Sequence, residues 1–322
     1  MLLYIGKRLL LSIPLLLGVT LLAFIFIQWA PGDFLSELKA NPLISRQAIQ
    51  LYEKEFHLDE PVAQRYFIWL KNLLKGELGY SFSFKAPVKT VIASRARNTF
   101  ILSLSTIIFT WILVIPLGIL AALHRNKCID RVLSFFSYLG ISTPSFFLAL
   151  IFLYLFSYRL GLLPLGGIRS LRFDELSHLS QVIDLAKHLV LPVVVLSLGS
   201  IASLQRIMRA NLLEVLGSSY ILAAKARGLR TRRILYIHTL KNALNPMITI
   251  FGYQFSALLS GAALVEIIIG WPGLGQVMLE AARKQDLYLV MGSLMIGGLL
   301  LIAGNLLADI LLAFFDPRIR RE

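Results

Sequence analysis

Residues 218–246 read Ser218-Ser-Tyr-Ile-Leu-Ala-Ala-Lys-Ala-Arg-Gly228-Leu-Arg-Thr231-Arg-Arg-Ile-Leu-Tyr-Ile-His238-Thr-Leu-Lys-Asn-Ala-Leu-Asn-Pro246, the most basic region of a very apolar chain. Long hydrophobic runs flank it on both sides. Ser218 or Ser219 is placed to cap a helix, because a hydroxyl accepts from the free N–H groups of a first turn. That helix runs over residues 220–227, and Gly228 ends it in a left-handed cap. Thr231 is placed to cap a second helix carrying Ile234, Leu235, Ile237, His238 and Leu240. Three readings compete. An ordinary positive-inside loop explains the charges alone. A nucleic-acid site suits any Lys/Arg cluster, but aromatic interleaving for base stacking is missing. A short helix set between two spans is also a shape for docking onto another protein.

Composition sets the surroundings of this loop. The chain has 322 residues, 57% of them hydrophobic, and a net charge of +14. That much apolar surface does not fit inside a soluble domain. A bilayer core of about 30 Å needs roughly 20 apolar residues per crossing helix, and six such runs are present. The fold class that follows is an all-α membrane protein with six transmembrane helices, at residues 9–29, 99–123, 132–157, 188–209, 243–268 and 287–314. The single Cys128 excludes an intramolecular disulfide.

Lys7 and Arg8 precede the first run, which is longer than a signal-peptide core and has no small-x-small cleavage site after it. It reads as an uncleaved span with Pro14 in its first turns. Residues 31–97 form a segment that is long and polar for this protein. Ser45 is placed to cap a helix carrying Ile49, Tyr52 and Phe56. Asp59 or Glu60 is placed to cap another that opens with Pro61 and stops at Gly76. The second puts Val62, Tyr66, Trp69, Leu70, Leu73 and Leu74 on one face, suited to lying on the membrane or on the spans. Pro116 kinks the second span. Ser142-Thr143-Pro144-Ser145 in the third suits close packing or a bend facing a cavity. Residues 163–167, Leu-Pro-Leu-Gly-Gly, form a turn. The basic loop occupies residues 214–241.

Counting cations gives the topology. With both termini and the second and fourth loops inside, sixteen of the 32 Lys/Arg residues lie on that side, against few acids.

Several chemistries lack their signatures. No Gly-x4-Gly-Lys-Ser/Thr loop cradles ATP. The five histidines are scattered, with no Cys pair to complete a metal site, and no Gly-x-Ser-x-Gly elbow supplies a nucleophile. No catalytic residue, cofactor or metal is expected. Glu266 and Asp309 are the two carboxylates within the spans, and a carboxylate there is a functional hypothesis because burying it is costly. Span-end hydration is the plainer reading for Asp309. Glu266 either caps the turn at Trp271-Pro272-Gly273 or faces a pathway.

At this point the sequence resembles the permease subunits of ATP-binding-cassette importers. Their cytoplasmic signature is Glu-Ala-Ala, three residues, then Gly. Ala223, Ala224 and Gly228 match it, while Leu222 stands where the signature has Glu. Tyr220, Ala223, Ala224, Ala226, Gly228 and Leu229, followed by His238, Asn242 and Pro246, are similar to the dipeptide/oligopeptide/nickel branch. The Ala30-Pro31-Gly32-Asp33 and Asp316-Pro317-Arg318 blocks are similar to its first-type permeases, so the resemblance covers nearly the whole chain. It implies a coupling helix over residues 220–227 seated on an ATPase. Glu266, Trp271, Pro272 and Gly273 are candidates for the pathway or an outer gate. The resemblance also implies these partners: a second, usually different, permease subunit, two ATPase subunits, and an extracytoplasmic substrate-binding protein. The location implied is a bacterial or archaeal cytoplasmic membrane. Short peptides are the cargo favoured, with nickel or glutathione as alternatives in the same class. A stand-alone secondary transporter would need intramembrane carboxylates or broken helices for a coupling ion, and usually two related halves. Pro116, Pro144 and Pro192 allow broken helices, but intramembrane charge is scarce and an evident repeat is lacking.

Overall fold

The computed structural model describes residues 2–29, 45, 47 and 60–315. In chain order the helices begin with α1 (Leu2–Trp29) and α2 (Val62–Leu74), and a two-residue hairpin follows, β1 (Tyr80–Ser81) and β2 (Ala86–Pro87). Next come α3 (Val88–Leu123), α4 (Cys128–Ser142), α5 (Ser145–Phe152, prolonged by a π turn Leu153–Arg159) and α6 (His178–Leu216). The basic stretch supplies α7 (Ser219–Ala226) and α8 (Thr231–Arg233). The latter runs through a π turn (Ile234–Thr239) into α9 (Leu240–Gly261). The chain continues with α10 (Ala263–Ile269), α11 (Leu274–Arg283) and α12 (Leu287–Phe315). The Ala30-Pro31-Gly32-Asp33 and Asp316-Pro317-Arg318 blocks, and the helix expected to carry Ile49, Tyr52 and Phe56, lie outside the described residues.

Among the described residues, four helices are long and apolar enough to cross a membrane: Arg8–Trp29, Val88–Leu123, His178–Leu216 and Leu287–Leu306. The run expected as a third span over 132–157, with close packing or a bend at Ser142-Thr143-Pro144-Ser145, is a bent pair of helices, α4 and α5, meeting at 103°, either one broken span or a re-entrant loop. The cause of the bend is Pro144. Its ring pushes the preceding residue out of the helical region, and Thr143 sits extended at φ −99°, ψ 121°. Pro116 and Pro192 stay inside unbroken helices. Pro14 is also well inside α1, which starts at Leu2 and not near residue 9.

Hydropathy placed the apolar middle of a helix better than its start. α3 begins eleven residues before the expected 99 and α6 ten before the expected 188. The added turns are amphipathic: Val88, Val91 and Ile92 are buried while Lys89 and Thr90 are exposed. α6 starts where Ser177 accepts from the Ser180 N–H.

The chain divides into two compact units. The first comprises residues 1–99 and 272–302. Its core joins Leu78, Val88, Ile92, Val277, Leu289 and Val290. Asp286, fully buried, caps α12 by accepting from Leu289 N (3.3 Å), and it also accepts from Ser81 Oγ (2.7 Å) and Ser83 N (3.0 Å), which pins the hairpin. α2 packs on α1 through Tyr66, whose hydroxyl donates to Leu17 O at 3.1 Å. Pro61 occupies its N-cap without a side-chain cap, in place of Asp59 or Glu60. Tyr66 and Trp69 are buried, whereas Val62 and Leu74 of the expected apolar face point outward.

The second unit comprises residues 100–271 and 303–322. α4 and α6 meet along a polar seam. Arg209 donates from Nε and Nη2 to the two oxygens of Asp130 at 2.6 and 2.7 Å. Ser137 donates to Gln205 at 2.8 Å, and the Arg206 guanidinium lies 4.4 Å from the Tyr138 ring centre. Gly166 (φ +151°) admits no side chain, because a Cβ would stand 2.2 Å from the Ile269 carbonyl.

Candidate functional site: a short exposed helix tied to a long one

α7 is two turns long, and its ends are closed by different means. At its start Ser218 holds the N-cap position with extended backbone, but its hydroxyl donates to Val215 O at 2.6 Å and caps nothing. At its end Gly228 takes φ +73°. Gly228 N donates to Lys225 O at 2.9 Å and Leu229 N to Ala224 O at 3.3 Å. This pair of reversed bonds is the Schellman closure, which satisfies carbonyls that a helix end leaves bare. Leu229 then packs against Ile221, Ala224 and Ile234, fixing where the chain goes next.

One face of α7 is anchored and the other is open. Ile221 and Ala224 are buried, whereas Leu222 (55% exposed), Ala223, Lys225, Ala226 and Arg227 face outward. Of the alanines expected in the docking surface, Ala224 therefore serves the internal contact, and Ala223 and Ala226 form the open patch.

Three residues expected at the site meet at one point. Asn242 Nδ2 donates to the Tyr220 hydroxyl at 2.7 Å and to the His238 carbonyl at 3.1 Å. The Tyr220 hydroxyl in turn donates to His238 O at 3.5 Å. His238 thus contributes its backbone to this knot. Asn211 of α6 donates to Ala243 O at 3.2 Å, so α6 also grips the start of α9. Thr231 is the first residue of α8 and the cap position falls to Arg230. The helix it opens continues through the π turn into α9. Pro246 lies inside α9, on an exposed position.

The residues expected near an outer gate are placed apart from this knot. Glu266 is 1% exposed in α10, and its carbonyl accepts from Trp271 N at 2.8 Å across the left-handed Gly270. Trp271 packs with Val265 and Ile269 in the core of the second unit. Pro272 and Gly273 belong to the first unit, where Pro272 O accepts from Asn98 Nδ2 at 2.9 Å and Gly273 opens α11.

Sequence reading missed the Asp130–Arg209 pair, because the partners lie 79 positions apart in the chain. Its only sequence signal is one acid, Asp130, among the cations around the start of α4.

The comparisons with known proteins concern the chain as a whole. The family described as the binding-protein-dependent transport system inner membrane component matches residues 114–321. The chain is 38% identical over 317 residues to the oligopeptide transport system permease protein AppB of Bacillus subtilis, covering 98% of each. It is 33% identical to the dipeptide transport system permease protein DppB of Escherichia coli K12 over the whole of both chains. It is 36% identical to the oligopeptide transport system permease protein OppB of Haemophilus influenzae, over 99% of this chain and 100% of that one. A chain of the MetNI methionine ABC transporter, solved in inward-facing conformations, shares the fold at a TM-score of 0.51 and 17% identity, across 69% of this chain and 97% of its own. An all-α architecture with several membrane-length helices and a family match over most of its length leads to one conclusion: the chain belongs to the inner-membrane permease family of binding-protein-dependent ABC importers, a multi-pass transport subunit and not an enzyme.

Proposed function

We propose that the chain forms half of the pathway of an ATP-driven importer of short peptides. It crosses the membrane six times with both termini in the cytoplasm. Its partners are a second permease, two ATPase subunits and an extracytoplasmic binding protein. The observation that carries the reading is the build of α7. Its small apolar face is open for a partner, while Tyr220, Asn242 and His238 fasten it to the helix that continues into α9. Such a piece transmits a push. When ATP draws the ATPases together, a helix docked by Leu222, Ala223 and Ala226 moves with them and carries α9 along. Peptide cargo is supported by the relatives, named for dipeptide and oligopeptide transport.

The test is purification of the tagged chain from its native membrane in mild detergent, mass spectrometry of what accompanies it, and reconstitution with the binding protein. ATPase chains, a second permease and ATP-dependent dipeptide uptake are expected. Uptake by the chain alone, without ATP, would replace this reading with a secondary transporter.

A further inference from the structure

A cavity of about 370 Å³ opens where α4 breaks into α5, walled also by α6 and α9. It falls within the range of small-ligand clefts, roughly 300–1,000 Å³. Its polar lining is uncharged: Thr143, Ser145, Ser200, Ser203 and Gln254, beside Gly199. Two of these groups are committed within the chain. Thr143 Oγ1 donates to Leu139 O at 2.8 Å and Ser203 Oγ to Ser200 O at 3.1 Å. The hydroxyls of Ser145 and Ser200 have no hydrogen-bond partner among the described residues. Gln254 is held at one end only. Trp111 Nε1 donates to its Oε1 at 2.9 Å, which leaves the amide N–H donors of Gln254 uncommitted. The first turn of α5 adds the backbone N–H groups of Ser145 and Phe146, which a helix start leaves without an internal partner, whereas those of Phe147 and Leu148 donate to Pro144 O at 3.1 Å.

We propose that this cavity is a cargo subsite that holds the peptide backbone by uncharged hydrogen bonds. The inference rests on the peptide reading above and says how one carrier tolerates many side chains. A peptide bond offers one donor and one acceptor whatever residues it joins. A hydroxyl supplies both roles, and the Gln254 amide supplies donors. Among the described residues no charged group lines the cavity, so neither cationic nor anionic side chains are selected or trapped there. Gly199 leaves room beside the hydroxyls. Among the described residues no thiol, imidazole or carboxylate lines it either, a lining that does not suit a nickel ion.

The experiment uses the chain in its reconstituted complex with saturating binding protein, on a Cys128→Ser background. Ser145→Cys and Ser200→Cys are compared with Ile112→Cys, an exposed position of α3. The probe is alanyl-cysteine activated as a thiopyridyl disulfide. A protein thiolate that meets it displaces pyridine-2-thione, one disulfide forming as another breaks. The adduct, read by intact mass, forms at positions 145 and 200 at least about tenfold faster than at 112, as proximity demands, and only with ATP. A second measurement uses no reporter. In Ser200→Val, which removes the hydroxyl that accepts from the peptide N–H and leaves the Gln254 donors in place, uptake of alanyl-alanine falls roughly tenfold, the scale of a buried hydrogen bond lost. Uptake of alanyl-sarcosine, which lacks the peptide N–H, stays unchanged. Equal labelling at all three positions, or equal effects on both peptides, overturns the subsite while leaving peptide import standing. If no dipeptide crosses with the unsubstituted complex, the peptide reading fails and this subsite with it.

Discussion

Gly228 closes α7 at φ +73°, and nothing lies within 4 Å of where its Cβ would stand. The demand on this residue is therefore backbone conformation alone. A side chain at left-handed φ costs about 1–2 kcal/mol, more for a β-branched residue, whereas Asn tolerates it. Gly228→Val is expected to lose ATP-dependent uptake while the chain still inserts in the membrane, and Gly228→Asn to retain most of it. Uptake assays on both variants, with immunoblots of membrane fractions, check this. A loss common to both would point to crowding by the docked partner and away from the bend. The role of Gly228 as a helix end was readable, because Gly followed by Leu after a short helix is a pattern of local chemistry. The Tyr220–Asn242–His238 knot was not, since it depends on how two helices come together.

At the scale of elements, the seam between α4 and α6 turns on one ion pair. Asp130 is 4% exposed and accepts from Arg209 in two places and from the Asn126 backbone at 2.8 Å. Removing one partner leaves the other uncompensated, a cost of about 3–5 kcal/mol for buried pairs. The Arg209 side chain is 26% exposed, so the lower end, about 3 kcal/mol, is the expectation for Asp130→Ala. The joint variant Asp130→Leu with Arg209→Met should recover much of that. Thermal unfolding of the purified complex in detergent checks both. Equal losses in the single and joint variants would show that packing, not charge, holds the seam. The prolines of neighbouring elements show where sequence reading stopped. Pro116, Pro144 and Pro192 all lie within apolar runs, and only Pro144 sits among hydroxyl residues that suit a bend. Only at Pro144 does the helix break, and there the preceding residue turns extended and the direction changes by 103°. Whether a helix tolerates a proline depends on its packing, which hydropathy does not report.

For the whole molecule, composition alone led to a membrane-embedded helical chain, since 57% hydrophobic residues leave no alternative of this length. Orientation was reached by charge counting, and one native residue tests it. Cys128 is the sole cysteine and is exposed at the start of α4. A membrane-impermeant maleimide is expected to label it in inverted vesicles and not in intact spheroplasts. The opposite pattern would reverse the proposed topology.

The π turn at Ile234–Thr239 has a consequence for angular phase. Its bonds span one residue more than α-helical ones, with Leu240 N reaching back to Leu235 O. In an α-helix each residue advances about 100° around the axis. The extra residue therefore sets the azimuth of everything downstream on α9. A chain one residue shorter here would keep the same helix and the same hydropathy, yet Met247 would leave the core and Gln254 would turn from Trp111 by roughly a quarter of a revolution. The basic stretch thus acts as an index mark, deciding which side of the next helix looks inward.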